Sequence, residues 1–292
     1  MRFGKLAVLT GVFACALAVF YGCSDDRTTS MPPVNYGSLD DPVFVPVKVQ
    51  IDDAVSTIVT DVLTGLGNMY VLPGDTMSVQ AQLNPPATEP DPDATPDELI
   101  AIYQNGWHFV HATYTGNVYF SRLRDSVMYQ IDGTPVEIPT GQVDFIHYIN
   151  NWTFTALDPD VSHTDFTGRN DFEISNLDQP IATINGATSN TVEAVYIAGD
   201  TMMTNMYGFA IQVTNLRIPK VTGHWVTGCP QSGRLNIILS HVYNWENDVT
   251  FGGGSAGWTA VVTFNNGTAT ITADNGDQTW RYECEVCTIP TT

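Results

Sequence analysis

Between residues 234 and 286, apolar side chains recur at every second position and Asn-Gly pairs separate the runs. Leu235, Ile237 and Leu239 alternate with Asn236 and Ser240, and Trp258, Ala260, Val262 and Phe264 alternate with Thr259 and Thr263. Asn266-Gly267 then turns into TATITA, and Asn275-Gly276 into QTWRYECEV. In this last run Trp280, Tyr282, Cys284 and Val286 share one face, while Thr279, Arg281, Glu283 and Glu285 share the other. A period of two with one apolar face belongs to an antiparallel sheet that has a core on one side and water on the other. Asn-Gly supplies the positive φ angles of a two-residue hairpin. Runs of the same kind begin at Trp107, with turns expected at Asp132-Gly133 and Asn185-Gly186. No repeat is regular enough for a solenoid or propeller. The expected class is therefore mainly β, an antiparallel meander forming a curved open sheet, with a β-sandwich as the alternative.

Residues 51–66 have a different period. Ile51, Val55, Ile58, Val59, Val62, Leu63 and Leu66 recur at steps of three and four, which predicts an amphipathic helix. Asp52 and Asp53 suit its start, Gly65 and Gly67 its end. An apolar helix face needs a partner, and a sheet face is the nearest one. Residues 84–97 form a Pro-rich acidic connection. Its end, Thr95-Pro96 with Glu98 three residues after the Thr, reads as a helix cap, so ELIAIYQ is expected as a short helix stopped at Asn105-Gly106.

The N-terminus does not read as part of the fold. Arg2 and Lys5 precede an apolar run from Leu6 to Tyr21, then Gly22, Cys23 and the polar Ser24-Asp25-Asp26. That is the layout of an export signal. A small residue followed by Cys resembles the lipobox of bacterial lipoproteins. The resemblance implies that Cys23 is lipidated and becomes the mature N-terminus. A register ending at Cys15 would leave Ala16 to Tyr21 as an exposed apolar stub, so Cys23 is preferred. Ser24 rather than Asp follows it, which by the same resemblance implies the outer membrane of a Gram-negative envelope. The domain reading is thus a signal peptide at 1–22, a flexible tether at 23–46, and a β-rich domain at 47–292 whose C-terminal meander spans 229–287.

The formal charge of −20 becomes −22 once residues 1–22, with two bases and no acid, are removed. Such a surface repels phosphate backbones, so no nucleic-acid partner is expected, and it repels anionic lipid heads. Attachment to the membrane therefore falls to the lipid on Cys23.

With Cys15 in the signal and Cys23 lipidated, Cys229, Cys284 and Cys287 remain, in an oxidising setting. Cys229 precedes the first strand of the C-terminal meander, and Cys287 follows the fourth. Flat strands one and four lie about 14 Å apart, beyond disulfide reach. A bond there requires the sheet to curl or an intervening loop to fold under. Cys229–Cys287 is favoured over Cys229–Cys284, because Cys284 shares the buried face with Trp280 and Tyr282.

The chemical motifs fail in context. Gly253-Gly254-Ser255-Ala256-Gly257 matches the nucleophile pattern G-x-S-x-G, but a strand-like run follows it and the last His, His241, precedes it. It reads as a glycine-rich loop between strands. Asp158, Asp160, Asp165 and Asp171, with His163, form a weak calcium cluster. Its EF-hand glycine position is His163 and its final glutamate position Arg169, so a solvated acidic loop is favoured. His224, Cys229, Cys284 and Cys287 offer a zinc set, which export and strand geometry disfavour. His108 and His111, three apart on a strand, face opposite ways. No cofactor motif is present, and no catalytic residue is assigned.

Two functions fit this reading. The first is a non-enzymatic, lipid-anchored envelope protein that binds or scaffolds a protein partner. The second is a carrier of a lipid or other hydrophobic ligand. An N-terminal helix followed by a long meander resembles the half-barrel lipoprotein carriers, whose concave face shelters acyl chains. A carrier requires a cavity of several hundred Å³ between helix and sheet; a scaffold has that space filled.

Overall fold

The computed structural model describes residues 36–56, 58–59, 97–116, 119–158, 161–220, 229–247 and 249–287. Among the described residues one α-helix, α1 (Val45–Ser56), precedes the strands. The first four are β1 (Glu98–Gln104), β2 (Trp107–Thr115), β3 (Tyr119–Ile131) and β4 (Thr134–Val136). β5 (Phe145–Asp158), β6 (Val161–Ser175), β7 (Ile181–Ala198) and β8 (Thr201–Pro219) follow. β9 (Ser232–Glu246), β10 (Phe251–Asn265), β11 (Thr268–Asp274) and β12 (Thr279–Glu285) complete the chain. All twelve belong to one antiparallel sheet ordered as the sequence runs, with β4 paired on β3 off the main path. The sheet is open, with β1 and β12 as its edges, and there is no second sheet to make a sandwich among the described residues.

The two-residue turns at Asp132-Gly133 and Asn266-Gly267 stand where the sequence puts them, each residue with positive φ, and Gly276 likewise turns β11 into β12. Asn185-Gly186 does not turn the chain. It lies inside β7, where the register with β8 shifts between Ile184 and Gly186. Gly186, at φ +146°, is there for close approach: a Cβ would stand 2.1 Å from the Asp171 carbonyl oxygen. ELIAIYQ is β1, not a helix, paired with β2 from Glu98↔Thr113 to Gln104↔Trp107. Asn105-Gly106, at φ 53° and 84°, closes a hairpin rather than ending a helix. The glycine-rich stretch 253–257 is also strand, paired along β9 from Gly253↔Asn244 to Gly257↔Ser240. The acidic stretch 157–171 is mainly the facing ends of β5 and β6.

The amphipathic helix starts six residues before its expected beginning. Asp41 opens it: its side chain accepts from the Val43 N–H at 2.9 Å, and its carbonyl from the N–H groups of Phe44 and Val45. Asp52 and Asp53 therefore lie in the helix body. Ile51, Val55 and Ile58 are buried as their spacing predicts; residues 60–66 lie outside the described residues. The fold also reaches back into the expected tether. Gly37 donates its N–H to the Thr279 carbonyl at 2.9 Å. Phe44, fully buried, stacks on Trp280 with centroids 4.9 Å apart and planes at 6°. One anchoring ring carries no periodicity, so this segment looked unstructured. Tyr282 fixes the other end, donating its hydroxyl to Asp52 at 2.7 Å, and Lys48 bonds the same carboxylate. Burial and the Asp52 carboxylate raise the Tyr282 phenol well above its ordinary pKa.

Cys229 and Cys287 are joined, with Cα atoms 5.8 Å apart, and Cys284 is free. The tip of the β10–β11 hairpin makes the bond possible. Gly267 donates to the Pro230 carbonyl at 3.0 Å and accepts from Val286 at 2.9 Å. The two flanking segments thus close on one glycine. Beyond the tip no strand separates them, so the bond forms where the hairpin ends.

Candidate functional site

Cross-strand partners share a face, so the register assigns every inward residue. The inner face is apolar over much of its area: Val127, Ile146, Phe172, Ile174, Ile184, Val213, Leu235 and Val262 are all buried there. α1 packs on this face near β12. Its 12 residues span about 18 Å. β8, with 19 residues, spans about 60 Å.

A cleft of about 450 Å³ lies between α1 and β6–β10. Pro46, Val47, Gln50, Asp53 and Ala54 form the helix side. Across the floor one row runs Asn190, Phe209, Leu239 and Trp258; the next runs Phe166, Val192, Tyr207, His241 and Ala256. Tyr207 stacks on His241 with centroids 4.3 Å apart and planes at 6°. The lining is thus largely aromatic and aliphatic, with Gln50, Asp53, Asn190, Tyr207, Ser240 and His241 bringing polar atoms. Among the described residues, Asn190 Oδ1 and His241 Nε2 are buried without a hydrogen-bond partner.

Beside the cleft the inner face changes character. Asp125, Asn150, Asn170 and Thr188 lie abreast on β3, β5, β6 and β7. Asp125, Asn150 and Thr188 are buried. Asn150 Nδ2 donates to Asp125 Oδ1, and the Tyr148 hydroxyl donates to the same oxygen at 3.3 Å. Burial pushes the Asp125 carboxyl up to about 6, the two hydrogen bonds pulling against it. Burial and the adjacent carboxylate likewise raise the Tyr148 phenol. Thr188 stands two residues before Asn190 on β7, so the polar strip adjoins the cleft floor. The sequence analysis passes over this strip. Its signal was legible: Asp125 has the parity of the apolar Leu123, Val127 and Tyr129, which places a carboxyl on the core face.

The other candidates do not converge on this site. Asp165 and Asp171 are six residues apart along β6, about 20 Å. Asp165 accepts from the Thr155 hydroxyl, while Asp171 pairs with His147 and Arg169 on the outer face. Burial alone would raise the Asp171 carboxyl, but those two partners hold it below its usual value. Asp158 ends β5, and Asp160 lies outside the described residues. No three His, Cys, Asp or Glu among the described residues gather as a metal set. Cys229 and Cys287 are spent in the disulfide, and His224 lies outside the described residues. His108 points inward against Tyr129, its pKa lowered by burial, while His111 is exposed. Ser255 sits in mid-strand with no turn to present it as a nucleophile. Cys23 and residues 1–22 lie outside the described residues. No protein family matches the sequence, and no curated protein or solved structure matches it.

Proposed function

We propose that this chain is a non-enzymatic, lipid-anchored envelope protein that binds a small hydrophobic ligand between its helix and its open sheet. One observation carries the reading: the space between α1 and the long strands is a cleft of about 450 Å³ with an apolar, aromatic lining, not a filled core. That volume is in the range of small-molecule sites. The carrier reading is thereby favoured over the scaffold, which needs a packed interface at this place. The anchor on Cys23 would hold such a binder beside a source of hydrophobic ligands, and its placement in the outer membrane belongs to the same proposal.

Ala256→Trp tests it. Ala256 lines the cleft and is exposed, so the larger ring fills the site without entering the buried core. Titration with a fluorescent naphthylamine probe should give saturable binding to the native chain. The A256W variant should bind it at least about tenfold more weakly, a loss of about 1.4 kcal/mol, with unchanged unfolding. Equal binding by both proteins would overturn the assignment of the cleft.

A further inference from the structure

The tips of the β7–β8 and β9–β10 hairpins lie side by side at the far end of the long strands. Like Leu99, Ile100 and Ile102 at the β1 edge, their apolar residues lie on both faces and not on one, and here they are gathered on two adjacent hairpins. On the inner face Tyr196, Met203 and Trp245 stand abreast. On the outer face of the next rung Ile197, Met202 and Phe251 do so, with Glu246 between the last two. Val249, in the connecting turn, is 90% exposed and Phe251 83%. A partner docked on a sheet covers one face. Apolar side chains on both faces of a projecting edge suit a medium that surrounds it.

The chain path gives the same orientation. Gly37 is bonded to Thr279, and Thr279 pairs with Asp274, which pairs with Thr259. The chain thus enters the fold level with Thr259, at the end of the sheet that faces the tips. Phe251 lies eight residues further along β10, about 27 Å beyond. From Cys23 to Gly37 the chain can span at most about 46–50 Å. That length exceeds the overhang, so an anchored Cys23 and the hairpin tips can reach one leaflet together.

We infer that these two tips dip into the lipid leaflet that carries the anchor. The inner face then offers a path to the cleft, since Trp245 and Tyr243 lie on the same face of β9 as His241 on the cleft floor. Asp200 lies in the β7–β8 turn and Glu246 ends β9, and the chain carries net charge −20, so the contact favours zwitterionic over anionic lipid. The orientation rests on the lipid-anchor reading, but the test does not.

The experiment is flotation with phosphatidylethanolamine–phosphatidylcholine vesicles of the unlipidated chain from residue 24, which contains the whole compact unit Tyr36–Thr292. The native sequence should co-float, and V249D/F251D should lower the bound fraction at least tenfold. Both sites are exposed, so the variant should keep its melting temperature; I197D on the other hairpin provides a second variant. Addition of phosphatidylglycerol should weaken binding. Failure of the native chain to float, or flotation unchanged in both variants, would overturn the inference. So would self-association lost in V249D/F251D without any vesicle binding, which would assign the tips to a second copy of the chain. Failure here leaves the probe titration of the cleft unaffected.

Discussion

Replacing Cys229 and Cys287 together by Ser should lower folding stability by about 4 kcal/mol, because the bond closes a loop of 58 residues whose entropy is otherwise free in the unfolded chain. The double substitution prevents the freed partner from recruiting Cys284, which sits on the last rungs of β12. The native-state cost of the change is small, since Gly267 remains bonded to Pro230 and Val286 whether or not the sulfurs are joined. The effect should therefore appear chiefly through the denatured state, as a lower urea midpoint with a larger m-value. Urea titration of the oxidised native chain against the double variant measures it. A loss under about 1 kcal/mol would show that the loop is already constrained without the bond.

Asp125 should make stability fall with pH in a window where most acidic proteins gain it. Its carboxyl titrates at about 6 in the fold against a reference of 3.8. The native state therefore holds this proton after the unfolded chain has lost it. Below pH 3.8 both states are protonated and the group is neutral to stability. As pH rises from there through about 6, the favourable difference is lost, because the folded chain must then keep a buried carboxylate. The shift corresponds to about 3 kcal/mol. Asp125→Asn removes the ionisation and keeps a carbonyl to accept from Tyr148 and Asn150. Its new amide can donate to Asn150 Oδ1, which lacks a partner among the described residues. Native chain and variant should therefore diverge from about pH 4 to about pH 6 and keep a constant difference above that, the variant having gained about 3 kcal/mol. Asp171 acts in the opposite sense, losing its contribution as pH falls, but it is common to both proteins and cancels. Parallel stability curves would refute the account of the polar strip.

The fold was legible where one physical signal acted alone. In β9, the second half of β10, β11 and β12 the alternation of residues such as Leu235, Ile237, Trp280 and Tyr282 with polar neighbours marked strand and face, and Asn266-Gly267 marked the turn. It misled where two signals competed. At 98–104 the capping pattern outweighed β-branched Ile100 and Ile102, although the following Asn105-Gly106 is a hairpin turn. Asn185-Gly186 carries the same dipeptide and does not turn, because there glycine serves the close approach of β6. Phe44 was missed because it acts singly. The cleft could not be read at all: it depends on how Pro46, Val47, Gln50, Asp53 and Ala54 meet residues of five strands distant in sequence, a property of packing. Asp125 was the exception, a site residue hidden in plain parity.

The account stands on the cleft being a ligand site, and the contents of the native protein test that most directly. Protein purified from its native cells in mild detergent is examined by native mass spectrometry, then denatured and extracted into organic solvent. The account predicts a bound mass of a hydrophobic small molecule near one per chain, absent from the denatured spectrum, recovered in the extract and lost in A256W. A native spectrum showing the bare polypeptide alone, with an extract no different from that of A256W, would contradict it.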